Sequence, residues 1–482
     1  MSFDVAIIGG GLAGLSAAAR LSAGGARVLV AEARPALGGR ASSFTDPVTG
    51  EAVDNGQHLL LGCYRETFEF LARVGASGNV RLQGALEVPM IDEAGHATTL
   101  RCPPLPSPYH LMAGILEWDA IGLRDRLSAL RLAAPVRQAR RFLLGGKGWL
   151  PASPDETVES WLTRWGQARR LREMLWEPLA LAALNQPAHE AAAPPFVRVL
   201  AQMLGPDPAD SAIAMPVRPL TAMYAEPARA FVESCGGQVR TSSPARVRVA
   251  NGRVAAIEIR GEPAAAPLVI LAVPWFALAD AVAGDTAALA PVLAAARSAA
   301  ASPIVTVNLW FDREVLPGPF VGLPGRTFQW VFDKRQVLGD SAAHLSFVSS
   351  GAASVVTASN EMLAETAFDE LAAALPAVRS ARLLRSLVVR ERRATFSLAP
   401  GQPARPDART GVAGLLLAGD WTETGLPATI EGAVMSGHRA AELIQQAADH
   451  GRTPGLGVAD SGSSDPLPAE ARPGRQAWSA DR

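Results

Sequence analysis

Apolar positions in the first third of the chain change period as they go. Val5 to Ile8 is a continuous apolar run, Leu12 to Leu21 carries small and apolar residues at helical spacing, and Arg27 to Ala31 is apolar again. The pattern predicts a buried strand, a helix and a second strand, a β-α-β unit of ordinary length. Arg81 to Leu100 predicts strands and turns. Leu111 to Gln202 is mostly helical, including Ile121 to Leu144 and Thr157 to Trp165 with its acidic first turn. Alternation returns between Gln238 and Ile259, where Asn251-Gly252 marks a hairpin. Leu268 to Val273 predicts a buried strand, and Val305 to Phe311 with Leu345 to Ser349 predict a second sheet. Gly414 to Asp420 predicts a last strand, followed by a helix from Pro427 to Ala448. The stretch from Gly451 to Arg482, rich in Gly, Pro, Ser and charge, predicts disorder.

Composition narrows this picture. The chain has 482 residues, 49% hydrophobic and 19% charged, with a net charge of -1. That suits a large folded interior and gives no field that would favour nucleic acid. Three dispersed cysteines, Cys63, Cys102 and Cys235, argue against a disulfide framework or a metal site and for a reducing compartment. No apolar run reaches the roughly 18 residues of a spanning helix. The best, Leu268 to Ala279, is cut by Pro274 and stopped by Asp280. The start carries no basic, cleavable leader. The expected location is cytoplasmic, in solution or peripheral on the inner face of the membrane.

The glycines of the first turn carry the chemistry. In G-x-G-x-x-G, Gly9 permits the tight turn, Gly11 lets backbone approach a pyrophosphate and Gly14 lets the helix approach the sheet. Leu12 and Ala13 open the helix, whose N-terminus favours phosphate. Glu32 ends the second strand, beside Ala33, where a carboxylate can accept from a ribose diol. This predicts an ADP-containing dinucleotide without separating NAD from FAD.

Two further stretches favour FAD. In "ALGGRASSF", Gly38 and Gly39 allow an unusual turn and Arg40 can reach a pyrophosphate. In "LLLAGDWTETGLPATIEGAVMSGHRAAELI", a strand delivers Gly419 and Asp420, an acid that can accept from ribityl hydroxyls. Pro427 suits a first helical position. The N–H groups near Ala428, Thr429 and Ile430 can then face a flavin. Ala433, Gly437, Ala440 and Ala441 form a small-residue stripe for close packing.

These motifs, in this order, resemble those of the flavin amine oxidases and phytoene-type desaturases, over most of the chain. The resemblance implies an α/β fold. A discontinuous Rossmann-like FAD domain is expected over 1–85, 225–285 and 405–450. A mixed α+β, largely helical substrate domain is expected over 86–224 and 286–404, with 451–482 as a tail. It also implies that Val247 contacts the adenine side, that Val273 lies on a crossing strand, and that Gly56, Gln57 and His58 adjoin the cofactor. "AVDNGQHLLLGCYRETFEFL", "LWEPLALAALNQP" and "GDWTETGLPATIEGAVMSG" further resemble the bacterial hydroxysqualene dehydroxylases of hopanoid synthesis, the squalene-associated FAD-dependent desaturases. That implies hydride transfer from reduced FAD to hydroxysqualene, giving squalene. It also implies an apolar tunnel and peripheral contact with the membrane and terpene-pathway enzymes.

Asp54 and His58 are the candidate proton donors; alternatively Asn55, Gln57 and His58 only hydrogen-bond backbone or cofactor. Glu423 and Glu431 near the last helix read as candidates too, or as compensation of its dipole. Trp118, Trp149, Trp161, Trp165 and Trp176 are candidates to face substrate or a membrane, with core or surface packing the more ordinary role for any one of them. No second glycine-rich turn follows a strand, which implies an external electron donor. A carotenoid-type desaturase, an amine oxidase and a non-catalytic flavin-binding scaffold for terpene synthases are the rival readings.

Overall fold

The computed structural model describes residues 3–146, 149–339 and 342–449; the expected tail lies outside them. A five-stranded parallel sheet gathers segments far apart in sequence. Its order is Gln238–Arg240, Val28–Ala31, Val5–Ile8, Leu268–Leu271, Leu415–Leu417. Every residue of the second, third and fifth of these strands is buried, as a sheet covered on both faces requires. The helix Leu12–Ala23 packs against Ile430–Asp449. Small residues set that distance: a Cβ on Gly437 would lie 2.1 Å from the Ala13 carbonyl oxygen. Ala440 and Ala441 are fully buried in the same seam.

The hairpin at Asn251-Gly252 forms with both residues at positive φ, 52° and 68°, the geometry that matches strand twist. A seven-stranded, mostly antiparallel sheet runs Leu383–Phe396, Ala301–Phe311, Ala343–Ser349, Trp330–Asp333, Phe320–Gly322, Glu87–Ile91, Ala97–Arg101. A layer of helices between residues 109 and 203 adjoins it.

Two boundaries differ from the sequence reading. Ile121 to Leu144 is three consecutive helical pieces, Leu123–Ser128, Ala129–Leu132 and Ala133–Leu143. The last long helix begins at Ile430, not Pro427. Thr429 takes the capping position, its hydroxyl accepting from the Gly432 N–H at 3.1 Å, so Pro427 stays in the preceding turn.

Candidate functional site

A cavity of about 860 Å³ opens where the two large sheets meet. Its floor is the first β-α turn. Gly9 sits at φ +114°, and a Cβ there would lie 2.4 Å from the Ala272 carbonyl oxygen, so only glycine fits. Gly14 does not line the cavity. It lets the helix close on its own turn, since a Cβ would fall 1.9 Å from the Gly9 oxygen. Gly11 faces open space, its nearest neighbour the Cα of Gly39 at 3.9 Å. No side chain caps the helix that begins at Leu12. Its first-turn amides are free for an anion.

Glu32 is buried at the cavity wall. One carboxylate oxygen accepts from Gly10 N–H at 2.7 Å and the other from Arg34 N–H at 2.8 Å. These two bonds fix the carboxylate and leave each oxygen capacity to accept from a diol. Ala33, Gly38, Gly39 and Arg40 line the adjoining wall. Arg40 donates to Asp420 at 2.5 Å and to the Ala394 carbonyl at 2.8 Å. Its guanidinium also lies 5.4 Å from the centre of the Trp275 ring. The sequence assigns Arg40 and Asp420 to different parts of a nucleotide; the fold makes them one ion pair. Val273, Gly419, Ala428, Thr429 and Ile430 complete this side.

Three expected contacts fall elsewhere. Val247 points into the core with no exposed surface. The neighbouring Pro244, Ala245 and Arg246 line the cavity instead, because successive strand residues alternate faces. Pro427 does not reach the lining. Asp54 also lies behind the wall, not on it. Lys334, on an element remote in sequence, donates to the Asp54 carboxylate at 2.7 Å and to the Gln57 side-chain oxygen at 2.6 Å. Ser43 and the Leu220 N–H also donate to Asp54. Burial raises the Asp54 carboxyl, but Lys334 and these donors hold it below its ordinary value overall. Asp54, a candidate proton donor in the sequence, is thus placed behind the wall as the ion-pair partner of Lys334.

Gly56, Gln57 and His58 do line the cavity. An ammonium can only donate, so Lys334 forces Gln57 to present its oxygen, and the amide nitrogen turns the other way. That nitrogen is buried and has no hydrogen-bond partner among the described residues. His58 Nδ1 lies 2.8 Å from the Gly56 carbonyl. It must carry the proton there, leaving Nε2 as an acceptor. Burial lowers the His58 pKa; Gly56 and Asp54 oppose it and Lys334 adds to it. The ring is neutral near pH 7, which removes it as a ready acid.

Glu431 caps a neighbouring helix. It accepts from Glu66 N–H, Thr67 N–H and the Thr67 hydroxyl at the start of Arg65–Arg73. Glu423 pairs with Arg405. Trp118, Trp161 and Trp176 are buried, Trp149 is exposed, and none of the five tryptophans lines the cavity. Arg246, Arg260, Tyr64 and Asn185 line it without having been singled out in the sequence. Arg246 was legible as the outward residue of an alternating strand; the others carried no local signal.

FAD fits these residues. The free helix amides and cavity arginines suit a pyrophosphate, Glu32 suits a ribose, and the unpaired Gln57 amide suits an acceptor-rich ring. The fold and site define an FAD-dependent oxidoreductase. The chain belongs to the flavin containing amine oxidoreductase family, which matches residues 12–445. It is similar to the hydroxysqualene dehydroxylase of Rhodopseudomonas palustris, at 32% identity over 92% of this chain and 99% of the relative. It is also similar to the 15-cis-phytoene desaturase of an Oncidium hybrid cultivar, at 25% identity over 92% and 78%. Among solved structures, an oxidoreductase from Methanosarcina mazei shares the fold with a TM-score of 0.71 at 19% identity, covering 91% of this chain and 100% of that one.

Proposed function

We propose that the protein reductively removes the hydroxyl of hydroxysqualene to give squalene, a step of hopanoid synthesis. The observation that carries this reading is the cavity's far wall. Beyond the nucleotide cradle Leu59, Ala182, Ala183, Ile304 and Val348 line it, beside the polar Asn185, Ser350, Glu391 and Thr395; the apolar stretch suits hydrocarbon. The likeness to the Rhodopseudomonas palustris dehydroxylase along nearly its whole length supports the same substrate.

Reduced FAD supplies the hydride that replaces the departing oxygen; with one proton the oxygen leaves as water. The chain's part is to hold and exclude. Glu32, Arg40 and Asp420 would hold the cofactor, and the apolar wall would keep water from the reacting carbon. Gln57, clamped by Lys334, lines the cavity, and its buried amide nitrogen has no partner among the described residues. His58 Nε2 can accept a hydrogen bond but does not supply the proton at neutral pH. No second G-x-G-x-x-G follows a strand in the sequence, and the reading takes its electrons from an external donor.

The test is anaerobic incubation of the flavin-loaded protein with hydroxysqualene and dithionite, with squalene read by mass spectrometry. Squalene formed only with reduced flavin supports the reading. A second reading, hydride removal from a phytoene-like hydrocarbon, draws on the likeness to the Oncidium desaturase. Polyene formed by oxidised FAD, with no squalene from hydroxysqualene, would favour it instead.

A further inference from the structure

More than half of the large apolar side chains that stand exposed, among the described residues, fall in the short stretch 105–149. Scatter would leave them spread over the surface. Their centre is the helical run from Leu123 to Leu143. Its three pieces keep right-handed helical dihedrals across both junctions, at Ala129 and Ala133. One face packs inward through Ser128, Leu132, Val136 and Ala139, all buried. The outward face is not polar as a solvated helix would be. Leu123, Leu127 and Leu130 are exposed along it, Leu123 at 67%, and Leu144 stands 83% exposed just beyond its end.

Charge on the same run is one-sided. Arg124, Arg126, Arg131, Arg137, Arg140 and Arg141 face a single acid, Asp125, between residues 124 and 141. Asp125 is spent on the Gly122 N–H. Arg124, Arg137 and Arg141 are exposed. Exposed leucines among exposed arginines complement a surface that is apolar below and anionic above. Arg126 ties the run to Tyr109–Glu117 through the Leu116 carbonyl at 2.7 Å, and Gln138 holds the backbone of exposed Trp149 at 3.1 Å.

We propose that this face binds an anionic phospholipid bilayer. The leucines enter the boundary between headgroups and chains, and the arginines meet the phosphates. The placement bears on the cavity. Ala133–Leu143 packs on Ala193–Met203. That helix in turn packs through Val199 and Met203 near Ala183, a cavity-lining residue. The bilayer, where a lipid-soluble substrate resides, would lie two helices, Ala133–Leu143 and Ala193–Met203, from the apolar wall.

The test is flotation of the flavin-loaded protein with phosphatidylcholine vesicles, with and without phosphatidylglycerol. Lipid binding needs no turnover, so its outcome is separate from that of the dehydroxylation assay. The protein should float with the anionic vesicles, far less with neutral ones, and be released by salt. Replacing Arg124, Arg137 and Arg141 by Glu should weaken binding by about a hundredfold or more, at roughly 1 kcal/mol per basic residue near such a surface. Leu123→Ser, Leu127→Ser and Leu130→Ser together should weaken it at least about tenfold. Flavin absorbance and melting temperature check that the variants are folded. Leu383→Ser with Leu384→Ser, an exposed apolar pair elsewhere, should float like the parent. Failure of the parent to float, undiminished flotation of both triple variants, or a dimer that buries this face and is split by the same changes would each overturn the proposal.

Discussion

Lys334 Nζ lies 2.7 Å from the Asp54 carboxylate, and the two side chains are 1% and 4% exposed. A buried pair like this costs desolvation on both sides and holds only while both charges remain. Lys334→Met should therefore lose about 3–5 kcal/mol, because Asp54 is left charged and enclosed. Adding Asp54→Asn should return much of that loss. Chemical denaturation of the single and double variants checks it. An unaltered midpoint for Lys334→Met would show that the pair is not closed off from water.

The Arg40–Asp420 pair bridges the second glycine turn and the end of the last strand, both on the cavity wall. Asp420→Ala should weaken FAD binding by about tenfold to a hundredfold, the usual span for a lost charged hydrogen bond. The flavin-to-protein absorbance ratio after exhaustive dialysis measures it. Retention of the full flavin complement would mean that Asp420 serves the fold and not the cofactor.

The His58 ring is held neutral by burial, below its ordinary pKa. Turnover should then show no acid limb with a midpoint near 6.5 as pH is varied between 6 and 8. His58→Gln, which keeps a hydrogen-bonding group, should retain more activity than His58→Ala. An activity that rises on acidification through about 6.5, and is flat in His58→Gln, would identify charged imidazole as the proton source.

Burial raises the Glu431 carboxyl to about 7, against the opposing pull of the Thr67 and Glu66 donors. The folded state thus keeps this proton over a range where the unfolded chain has released it. The resulting stability is complete below about 4.5, is lost as pH climbs to about 7, and is level above that. Relative to Glu431→Gln, the parent should lose up to about 3 kcal/mol between these limits. Parallel denaturation curves at pH 5 and pH 8 read the difference; equal pH slopes for the two proteins would contradict it.

What was legible in the sequence was local. The turn at Gly9, the Asn251-Gly252 hairpin and the small-residue stripe of the last helix each declare their geometry within a few residues, because sterics alone decide them. The cofactor cradle follows from those segments, and the sequence order of the motifs points to their meeting. Lys334 was not legible. In "FDKRQVLG" it resembles an ordinary solvated helix start, and its partner lies 280 residues away. Asp54 was visible as a carboxylate in a chemically busy segment. Whether it faced a ligand or a buried ammonium depends on the second sheet, which no local pattern describes. The tryptophans stayed ambiguous for a related reason, since aromatic content does not tell which side of a helix is turned inward.

The five-stranded sheet sets an order of events during synthesis. Its central strand is made long before the edge strand Leu415–Leu417 and the helix Ile430–Asp449 that closes on it. A nascent chain therefore carries the residues of its phosphate turn while the strand beside it and the opposite wall are still missing. The complete cradle for the prosthetic group exists only once Leu415–Leu417 and the helix after it have been made, and until then the unfinished sheet margin must be shielded.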